Sequence, residues 1–471
     1  MDGRREGGSE SRGSVILAAL AGLIIAGLGN PTLGDGDPIQ VAKLLADDGT
    51  PADLFGYSVS LSGDLIVVGA YGDATAAGSA YVFAWDGAQW IQQAKLMADD
   101  GASYDFFGQA TAIDGETVVI GAPSDDDHGV QSGSAYVFAR SGNDWVQQAK
   151  LVADDASEDA EFGGSVAVED DTIIIGAEGD GGIGPEAGAA YVFTRIGSEW
   201  IQEAKLLTDD QLQYDHLGCS VDLCGETAVI GARKAGNPSY GAAYLFVRDG
   251  TTWTQQAKLM ADDPEELDWF GCCVAISGDT IVVGAYGDDD NGFNSGSAYA
   301  FVRQGGAWTQ QAKLLPDDGH GYDIYGWSAD VSGDIAVIGS PGDSEGVFKS
   351  GSAYVWVRNG ETWTQQAKFV SDDVDESDGF AESVALEQDR LVVGTPDDDD
   401  NGSSSGSAYV FDMGSACPAD VTGDGVVDTA DLLAVLAAWG PCEGCPEDIN
   451  GDGIVNTEDL LILLAAWGEC P

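Results

Sequence analysis

The feature that most constrains the fold is a segment of 52 to 55 residues that occurs seven times along the chain. Each copy carries an Ala-Lys anchor, and the anchoring lysines are Lys43, Lys95, Lys150, Lys205, Lys258, Lys313 and Lys368. Repetition at a fixed period predicts stacked supersecondary units that cannot bury their own faces alone. We therefore expect one repeat architecture to account for most of the 471 residues.

Each copy contains four short segments typical of β-strands. Representative copies lie at residues 55–59, 66–70, 78–83 and 145–151, which are rich in β-branched and aromatic residues and separated by Gly, Asp and Asn. The second segment is apolar at successive positions, as expected for a strand covered on both faces. Four strands in each of seven repeats predict an all-β fold, a seven-bladed β-propeller, because ring closure protects the sheet edges.

The two ends of the repeat region complement each other. Residues 39–45 have the sequence of a fourth strand, but no first, second or third strand precedes them. The last copy stops after its third strand, at residues 409–411. We predict that the N-terminal strand completes the last blade and closes the ring, which makes the propeller sensitive to N-terminal truncation.

Two short motifs in each copy resemble a known repeat. Phe-Gly opens most copies, and Gly121-Ala122-Pro123 follows a second strand. Residues 38–412 thereby resemble the FG-GAP repeats of integrin α-subunit propellers and their bacterial relatives. The copies depart from the motifs at Leu217-Gly218, Tyr325-Gly326, Phe380-Ala381, Gly339-Ser340-Pro341 and Gly394-Thr395-Pro396. Integrin propellers hold Ca²⁺ between strands 1 and 2, but turns such as Ser62-Gly63-Asp64 are too short here, so we do not transfer those sites.

Acidic residues concentrate in two loops of each blade. In an antiparallel blade, the loop that leads into strand 1 and the loop between strands 2 and 3 lie at the same end. The first loops carry Asp47-Asp48, Asp99-Asp100, Asp154-Asp155, Asp209-Asp210, Asp262-Asp263, Asp317-Asp318 and Asp372-Asp373, and three of the second carry residues 125–127, 288–290 and 397–400. The aspartate pairs favour Asx turns or strand caps. The second set also suits further Ca²⁺ ions on the propeller loops, because Ca²⁺ prefers crowded oxygen ligands.

Blade four breaks the pattern. Residues 233–237 read Arg-Lys-Ala-Gly-Asn, a basic patch on an acidic face. Cys219, Cys224, Cys272 and Cys273 fall on the first strands of blades four and five. Cys219 and Cys272 take the same repeat position and can meet near the central channel, or all four can be buried free thiols.

The charge composition limits the partners. The chain has 80 acidic and 19 basic residues, a net charge of −61. Phosphates would be repelled, so we expect no nucleic-acid partner. The charge favours divalent cations or basic partners, or serves solubility alone.

The N-terminus is typical of export. Residues 1–30 combine Arg4, Arg5 and Arg12 with an apolar run at 15–28, which predicts a signal peptide. An uncleaved anchor is the alternative. We expect a secreted protein, extracellular or at the cell surface, with no membrane span after signal removal.

Residues 417–471 differ in composition and carry two calcium-type loops. Each is a 12-residue pattern with Gly425 or Gly453 at the sharp turn, followed by an apolar helix at 432–439 or 460–467. The predicted ligands of two Ca²⁺ ions are Asp420, Thr422, Asp424, Val426 (carbonyl), Asp428 and Asp431 in the first loop, and Asp448, Asn450, Asp452, Ile454 (carbonyl), Asn456 and Asp459 in the second.

A duplicated loop-then-helix resembles a type I dockerin, a small α-helical, EF-hand-like calcium domain that binds cohesins. The resemblance implies a cohesin-like partner contacted by Thr429, Ala430, Thr457 and Glu458. Four cysteines frame the duplicates, and the repeat symmetry favours disulfides Cys417–Cys442 and Cys445–Cys470.

Signs of catalysis are weak. His128, His216 and His320 lie in non-equivalent loops, and no common nucleophile, phosphate-binding or zinc motif is present. We expect a monomeric, non-catalytic binding or adhesion protein that recognises an extracellular protein or glycan. The alternatives are a component of extracellular polysaccharide degradation, with glycoside-hydrolase activity still open, and a structural envelope or matrix protein.

Overall fold

The computed structural model describes residues 38–142, 144–344, 348–373, 375–413, 421, 426–427, 429–441, 449, 454–465 and 467–469. The predicted signal peptide and the four C-terminal cysteines lie outside these residues. The repeat region folds into seven four-stranded antiparallel sheets, each of which is one blade. This confirms the predicted all-β, seven-bladed propeller.

Blades one to six each take four consecutive strands. Blade one is β2 (Ser58–Ser62), β3 (Leu65–Ala70), β4 (Ser79–Trp85) and β5 (Trp90–Leu96); blade two is β6 (Ala110–Asp114), β7 (Thr117–Ala122), β8 (Ser134–Ser141) and β9 (Asp144–Leu151); blade three is β10 (Phe162–Glu169), β11 (Thr172–Ala177), β12 (Ala189–Ile196) and β13 (Glu199–Leu206). Blade four is β14 (Leu217–Cys224), β15 (Thr227–Ala232), β16 (Ala242–Asp249) and β17 (Thr252–Leu259); blade five is β18 (Val274–Ser277), β19 (Thr280–Ala285), β20 (Ser297–Gln304) and β21 (Ala307–Leu314); blade six is β22 (Ala329–Ser332), β23 (Ile335–Ser340), β24 (Ser352–Asn359) and β25 (Thr362–Phe369). A helical turn, α1 (Asp73–Ala76), joins β3 to β4.

Blade seven contains both ends of the propeller. Its inner strands are β26 (Ser383–Glu387), β27 (Arg390–Thr395) and β28 (Ser407–Asp412), and its outer strand is β1 (Ile39–Leu44). β1 pairs antiparallel with β28, from Ile39 opposite Asp412 to Leu44 opposite Ala408. The predicted closure by the N-terminal strand is confirmed.

The first strand of blade one begins later than predicted, whereas β10 and β14 of blades three and four do begin at the equivalent positions, Phe162 and Leu217. Phe55 is fully buried and forms only an isolated bridge to Gly406, and β2 starts at Ser58. Gly56 between them has φ +95°, and a Cβ there would lie 2.1 Å from the Ser407 carbonyl oxygen. In blade one the Phe-Gly motif is therefore a left-handed turn before the strand, because that backbone region favours glycine.

Adjacent blades are joined by a repeated hydrogen bond near the channel. The Ser383 hydroxyl donates to the Gly56 carbonyl across the seam between blades seven and one, at 2.9 Å. The equivalent donors are Ser58, Ser165, Ser220, Cys273 and Ser328, and blade two has Ala110 instead. Gly69 allows this approach, since a Cβ there would lie 2.0 Å from the Gly108 carbonyl. The expected role of glycine in close contact between blades is confirmed.

The core lies between the blades. Second and third strands such as β7 are buried along their whole length, or nearly so, and successive hydrophobic clusters combine residues of neighbouring blades. Each blade therefore buries its two faces against two neighbours, as a ring requires.

The described C-terminal residues form a small symmetric unit. Helices α2 (Thr429–Ala437) and α3 (Thr457–Ala465) begin three residues earlier than predicted. β29 (Val426–Val427) pairs with β32 (Gly468–Glu469), and β30 (Gly440–Pro441) pairs with β31 (Ile454–Val455). Val427, Val435, Val455 and Leu463 form its fully buried core.

Among the described residues, no helix has the length and hydropathy that a membrane crossing requires.

Candidate functional site

The loops between blades and the loops between strands 2 and 3 lie at the same end of the propeller, as predicted, and we call this end the loop face. Several of their carboxylates are paired with lysine. In blade five, the Lys313 ammonium lies 2.9 Å from Asp263 of the inter-blade loop, and 2.8 and 2.7 Å from Asp288 and Asp290 of the strand 2–3 loop. The anchoring lysine of the repeat is thus the counter-ion of both acidic loops.

The same lysine cage recurs around the ring. Its members are Lys43 with Asp373, Asp398 and Asp400; Lys95 with Asp48 and Asp73; Lys150 with Asp100, Asp125 and Asp127; Lys205 with Asp155 and Asp180; and Lys368 with Asp318 and Asp343. One carboxylate of each cage is nearly fully buried and the others are more exposed. Each cage joins one strand to two loops that are distant in sequence.

A tyrosine of the third strand completes each cage. In blade five, the Tyr299 hydroxyl lies 3.1 Å from Asp263 and 3.0 Å from Asp288, and Lys313 lies 5.3 Å from its ring centre. Burial works against the charge of Lys313, but its hydrogen bonds to the carboxylates outweigh this and raise its pKa above that of a free lysine. The cage therefore keeps a protonated ammonium in a site shaped for a cation.

The cages bear on the two interpretations of the acidic loops. The second aspartate of each inter-blade pair binds lysine and tyrosine, and does not form the expected Asx turn. Asx-type contacts occur instead in the strand 2–3 loops, where Asp125 accepts from the Asp127 amide at 2.9 Å.

Asp373, Asp398 and Asp400 form the one group of three acidic, thiol or imidazole ligand atoms within 4.8 Å of one another among the described residues. Ca²⁺ there would have to displace Lys43, which lies within 2.9 Å of all three.

Blade four has an incomplete cage. Ala235 stands where the other blades have the buried aspartate, and the Lys258 ammonium pairs with Asp210 alone, at 2.6 Å. The predicted basic patch is largely paired: Arg233 bonds Glu178 of blade three, and Lys234 lies 3.0 Å from His216. Burial, with Arg233 and Lys234, lowers the pKa of His216 to about 4. His216 is therefore neutral near pH 7.

The sequence analysis missed a further ring of aspartates. Asp268 is buried, and its carboxylate accepts from the Glu265 amide at 2.6 Å. The equivalents are Asp53, Asp105, Asp215, Asp323 and Asp378, and blade three has Ala160. Burial raises the pKa of Asp268 to about 6. The signal was present, since in six copies Asp stands two residues before the first residue of the Phe-Gly motif or its variants.

The central channel opens on the loop face, and here the repeats differ. Immediately after the Phe-Gly motif the seven blades carry Tyr57, Gln109, Gly164, Cys219, Cys272, Trp327 and Glu382. Immediately after the second strand they carry Tyr71, Pro123, Glu178, Arg233, Tyr286, Pro341 and Pro396. We call these fourteen positions the channel mouth. Positions that build the blades are nearly uniform across the repeats, whereas the mouth is different in every blade.

A cavity of about 490 Å³ occupies the mouth. Aromatic side chains line two sides of it. In blade one, the ring centres of Tyr57 and Tyr71 lie 4.5 Å apart in an edge-on contact. Between blades five and six, the ring centres of Tyr286 and Trp327 lie 4.8 Å apart. Polar side chains such as Gln109, Gln131 and Arg233 line much of the rest, so the cavity offers hydrogen-bonding groups beside the rings.

Glutamates stand between the aromatic groups. Burial, with Asp397 nearby, raises the pKa of Glu382 to about 7, although its hydrogen bond with Trp327 opposes this. Burial and the neighbouring Glu178 also raise the pKa of Glu161. The mouth therefore holds carboxyl groups that are protonated more easily than ordinary ones.

Deeper in the channel, blades four and six carry Asp222 and Asp330. Asp222 accepts from the Ile276 amide of the next blade at 2.7 Å, and Asp330 accepts from the Leu386 amide at 2.6 Å. Burial and the neighbouring Asp330 raise the pKa of Asp222 to about 7, and burial raises that of Asp330 to about 6.

These two groups predict a pH dependence. Because their pKa values are higher folded than unfolded, the folded state binds the extra protons, and stability rises as the pH falls from 8 to 5. Asp222→Ala should reduce this rise, measured by urea unfolding at both pH values. Alanine is a suitable replacement because Ala112, Ala167, Ala275 and Ala385 occupy the equivalent positions. Equal pH dependence in the variant and the parent chain would contradict the assignment.

The four propeller cysteines are free thiols, as one of the two interpretations held, and they are half-buried. Cys219 and Cys272 both line the mouth cavity, in adjacent blades. The Cys219 thiol lies 3.3 Å from the Gly271 carbonyl.

The described part of the C-terminal unit includes some of the predicted calcium ligands. Asp431 and Asp459, the last ligands of the two loops, are fully buried at the starts of α2 and α3. The Ile454 carbonyl accepts from the Asn456 side chain at 2.9 Å. The side chain of Val426 and the whole of Asp420, Thr422, Asp424, Asp428, Asp448, Asn450 and Asp452 lie outside the described residues. Thr429, Ala430 and Thr457 are exposed.

The fold and the mouth define a closed, seven-bladed β-propeller of the binding type. The family model described as FG-GAP repeat matches residues 39–83, 90–138, 145–193, 200–246, 253–301, 308–356 and 363–411. These segments cover more than half of the chain, which therefore belongs to the FG-GAP repeat family. No curated protein matches the chain.

Proposed function

We propose that this chain is a secreted, non-catalytic binding or adhesion protein that contacts its ligand at the channel mouth. One observation carries the proposal. Seven copies of one unit share their cage, core and seam residues, but differ at the fourteen mouth positions. A purely structural ring has no need for a different pair of mouth residues in every blade, whereas recognition of an asymmetric ligand does.

The shape and chemistry of the mouth support this proposal. Its cavity of about 490 Å³ falls in the size range of ligand pockets. Aromatic rings supply contact area on two sides, and Glu161, Glu178 and Arg233 supply polar contacts. The surrounding cages hold the loops rigidly, so little ordering is needed on binding.

Paired variants test the mouth. Trp327→Ala should weaken binding at least about tenfold, because it removes an aromatic contact from the cavity wall. Trp85→Ala is the control, since it lies on a hairpin between strands 3 and 4, away from the loop face. Binding is measured on a glycan array and on immobilised extracellular-matrix proteins. Equal loss in both variants would contradict a site at the mouth.

The same purified proteins distinguish the two alternative functions, polysaccharide degradation and a structural role. Release of reducing sugar from a polysaccharide that the chain binds would favour a degradative role. Matrix association that persists in Trp327→Ala and after deletion of residues 417–471 would favour a structural role.

We further propose that the C-terminal unit is a calcium-dependent, dockerin-like docking module for a cohesin-like domain. Its helices expose apolar side chains in matching positions: Leu433 and Leu461 are 66% and 54% exposed, and Leu436 and Leu464 are 48% and 49% exposed. Such a patch on so small a unit is typical of a protein interface. Asp431 and Asp459 take equivalent places at the starts of α2 and α3, as the last ligands of two calcium-type loops would.

Calorimetry of the full chain tests the metal sites. Asp431→Ala should bind one Ca²⁺ fewer than the parent chain, because it removes the last ligand of the first loop. Glu458→Ala, at a proposed partner contact, should keep every site. An unchanged number of sites in Asp431→Ala would contradict the calcium assignment.

A further inference from the structure

Three tyrosines stand at the same position in the loops that lead into blades two, four and six. Tyr104, Tyr214 and Tyr322 are 63%, 48% and 63% exposed on the loop face. All three have a left-handed backbone, with φ of +72°, +68° and +72°. Large side chains rarely adopt this region, because their Cβ crowds the following carbonyl. The fold does not require tyrosine here, since Ala52 and Ser377 take the same conformation, with φ of +68° and +71°.

Each tyrosine is carried by a turn that is held from two sides. The buried aspartate after each tyrosine accepts from the amide three residues before it, as Asp323 does from His320 at 2.5 Å. The Tyr322 amide donates to the Phe293 carbonyl of a strand 2–3 loop at 2.8 Å. The Phe293 ring is 60% exposed, and its centre lies 5.4 Å from that of Tyr322. The exposed rings are therefore preformed, so little ordering is needed when a ligand binds them.

Carboxylates accompany the tyrosines in the same loops. Asp99, Asp209 and Asp317 are exposed, and each stands five residues before its tyrosine. A carboxylate accepts hydrogen bonds and donates none, so it suits a ligand rich in hydroxyl groups. The net charge of −61 repels an acidic polymer. The loop face therefore fits a hydroxyl-rich ligand without acidic groups.

The spacing of the rings distinguishes a sugar polymer from a protein. Asp159, Leu267 and Ser377 take the equivalent positions in the loops into blades three, five and seven, so the tyrosines alternate with dissimilar residues. A protein interface instead concentrates its anchors in one apolar centre. A sugar ring stacks its C–H bonds on the negative face of a single aromatic ring and leaves its hydroxyls for neighbouring acceptors. Identical platforms at repeated positions suit a ligand built from repeated units.

We propose that Tyr104, Tyr214 and Tyr322 are stacking platforms for an uncharged polysaccharide. The exposed aspartates of the same loops accept hydrogen bonds from its hydroxyl groups. The inference rests on the proposed binding function, for which it names the chemical class of the ligand and a second set of contacts on the loop face.

The repeats supply the test variants. Tyr104→Ser, Tyr214→Ser and Tyr322→Ser are combined in a serine variant, which should fold because Ser377 already holds this conformation. A leucine variant with the same three positions changed copies Leu267 and keeps apolar area without an aromatic face. A phenylalanine variant keeps the rings and is the matched control. Tyr104→Ser alone replaces the serine variant if the triple change prevents folding.

Affinity electrophoresis of the full chain measures binding to hydroxyethyl cellulose, arabinoxylan, galactomannan and glycol chitin, with polygalacturonate as the acidic comparison. The parent chain should bind at least one neutral polymer. The serine and leucine variants should bind it at least about tenfold more weakly, and the phenylalanine variant within about threefold of the parent chain.

Three results would overturn the proposal: equal binding by the folded serine variant, no binding of the parent chain to any neutral polymer, or tighter binding to polygalacturonate. Binding that the leucine variant keeps and the serine variant loses would indicate an apolar contact of the protein–protein kind, and would overturn the choice of ligand.

Trp327→Ala, measured in the same gels, separates this inference from the site at the channel mouth. Loss of polymer binding in Trp327→Ala but not in the serine variant would support the mouth and overturn the role of the tyrosines. Loss in the serine variant but not in Trp327→Ala would support the tyrosines and contradict the site at the mouth.

Discussion

Removing residues 1–45 should open the propeller and lower its unfolding free energy by at least about 5 kcal/mol. The truncation deletes β1, which leaves β28 as an unpaired edge in blade seven. It also removes Lys43 and leaves the carboxylates of Asp373, Asp398 and Asp400 without their counter-ion. Thermal unfolding, followed by circular dichroism, measures the loss.

A truncation that removes residues 1–37 is the matched control, because it keeps β1 whole. It should unfold at the temperature of the parent chain after signal removal. A synthetic peptide of residues 38–46 should restore part of the lost stability when added to the shorter chain. Equal melting temperatures for the two truncations would show that β1 does not close the ring.

Lys313→Met should destabilise the chain by about 3 kcal/mol at pH 7, because three carboxylates would be left without a compensating charge. Methionine keeps the length and apolar stem of the side chain, so the change removes mainly the charge. The three remaining aspartates then offer oxygen ligands to a hard cation. Added CaCl₂ should therefore restore stability, measured by urea unfolding with and without the salt.

Lys258→Met is the control that the repeat provides. Lys258 pairs with one carboxylate, and Ala235 replaces the buried aspartate of the cage. Its replacement should cost about 1 kcal/mol and show no rescue by calcium. Similar losses of unfolding free energy in the two variants, or restoration of both by CaCl₂, would contradict the role of the lysine as a built-in counter-ion.

Several features of the fold followed from local sequence. The Ala-Lys anchors set the number of blades, and the incomplete first and last copies predicted the pairing of β1 with β28. The start of the inner strand of blade one was predicted too early, because Phe-Gly is apolar and aromatic like a strand, whereas blades three and four do begin at this position. The positive φ of Gly56 depends on the approach of Ser407 from the preceding blade, which a single repeat does not contain.

The candidate site was predicted only in part. The loop face and its acidic character followed from strand order alone. The lysine cages did not, because Lys150 meets aspartates 50 and 23 residues away, in two different loops. The sequence does show seven lysines, seven tyrosines and seven aspartate pairs at equivalent positions, but local pattern alone predicts strands and turns for them.

The sequence by itself determined a sevenfold ring, its closure by the first strand and the end at which its acidic loops meet, since each depends on periodicity and strand order. Only the tertiary structure decided which groups those loops face, and which residues share the channel mouth. Lys43 and Asp373 are 330 residues apart and meet because the ring closes. Contacts of that kind belong to the closed ring as a whole, and no single repeat encodes them.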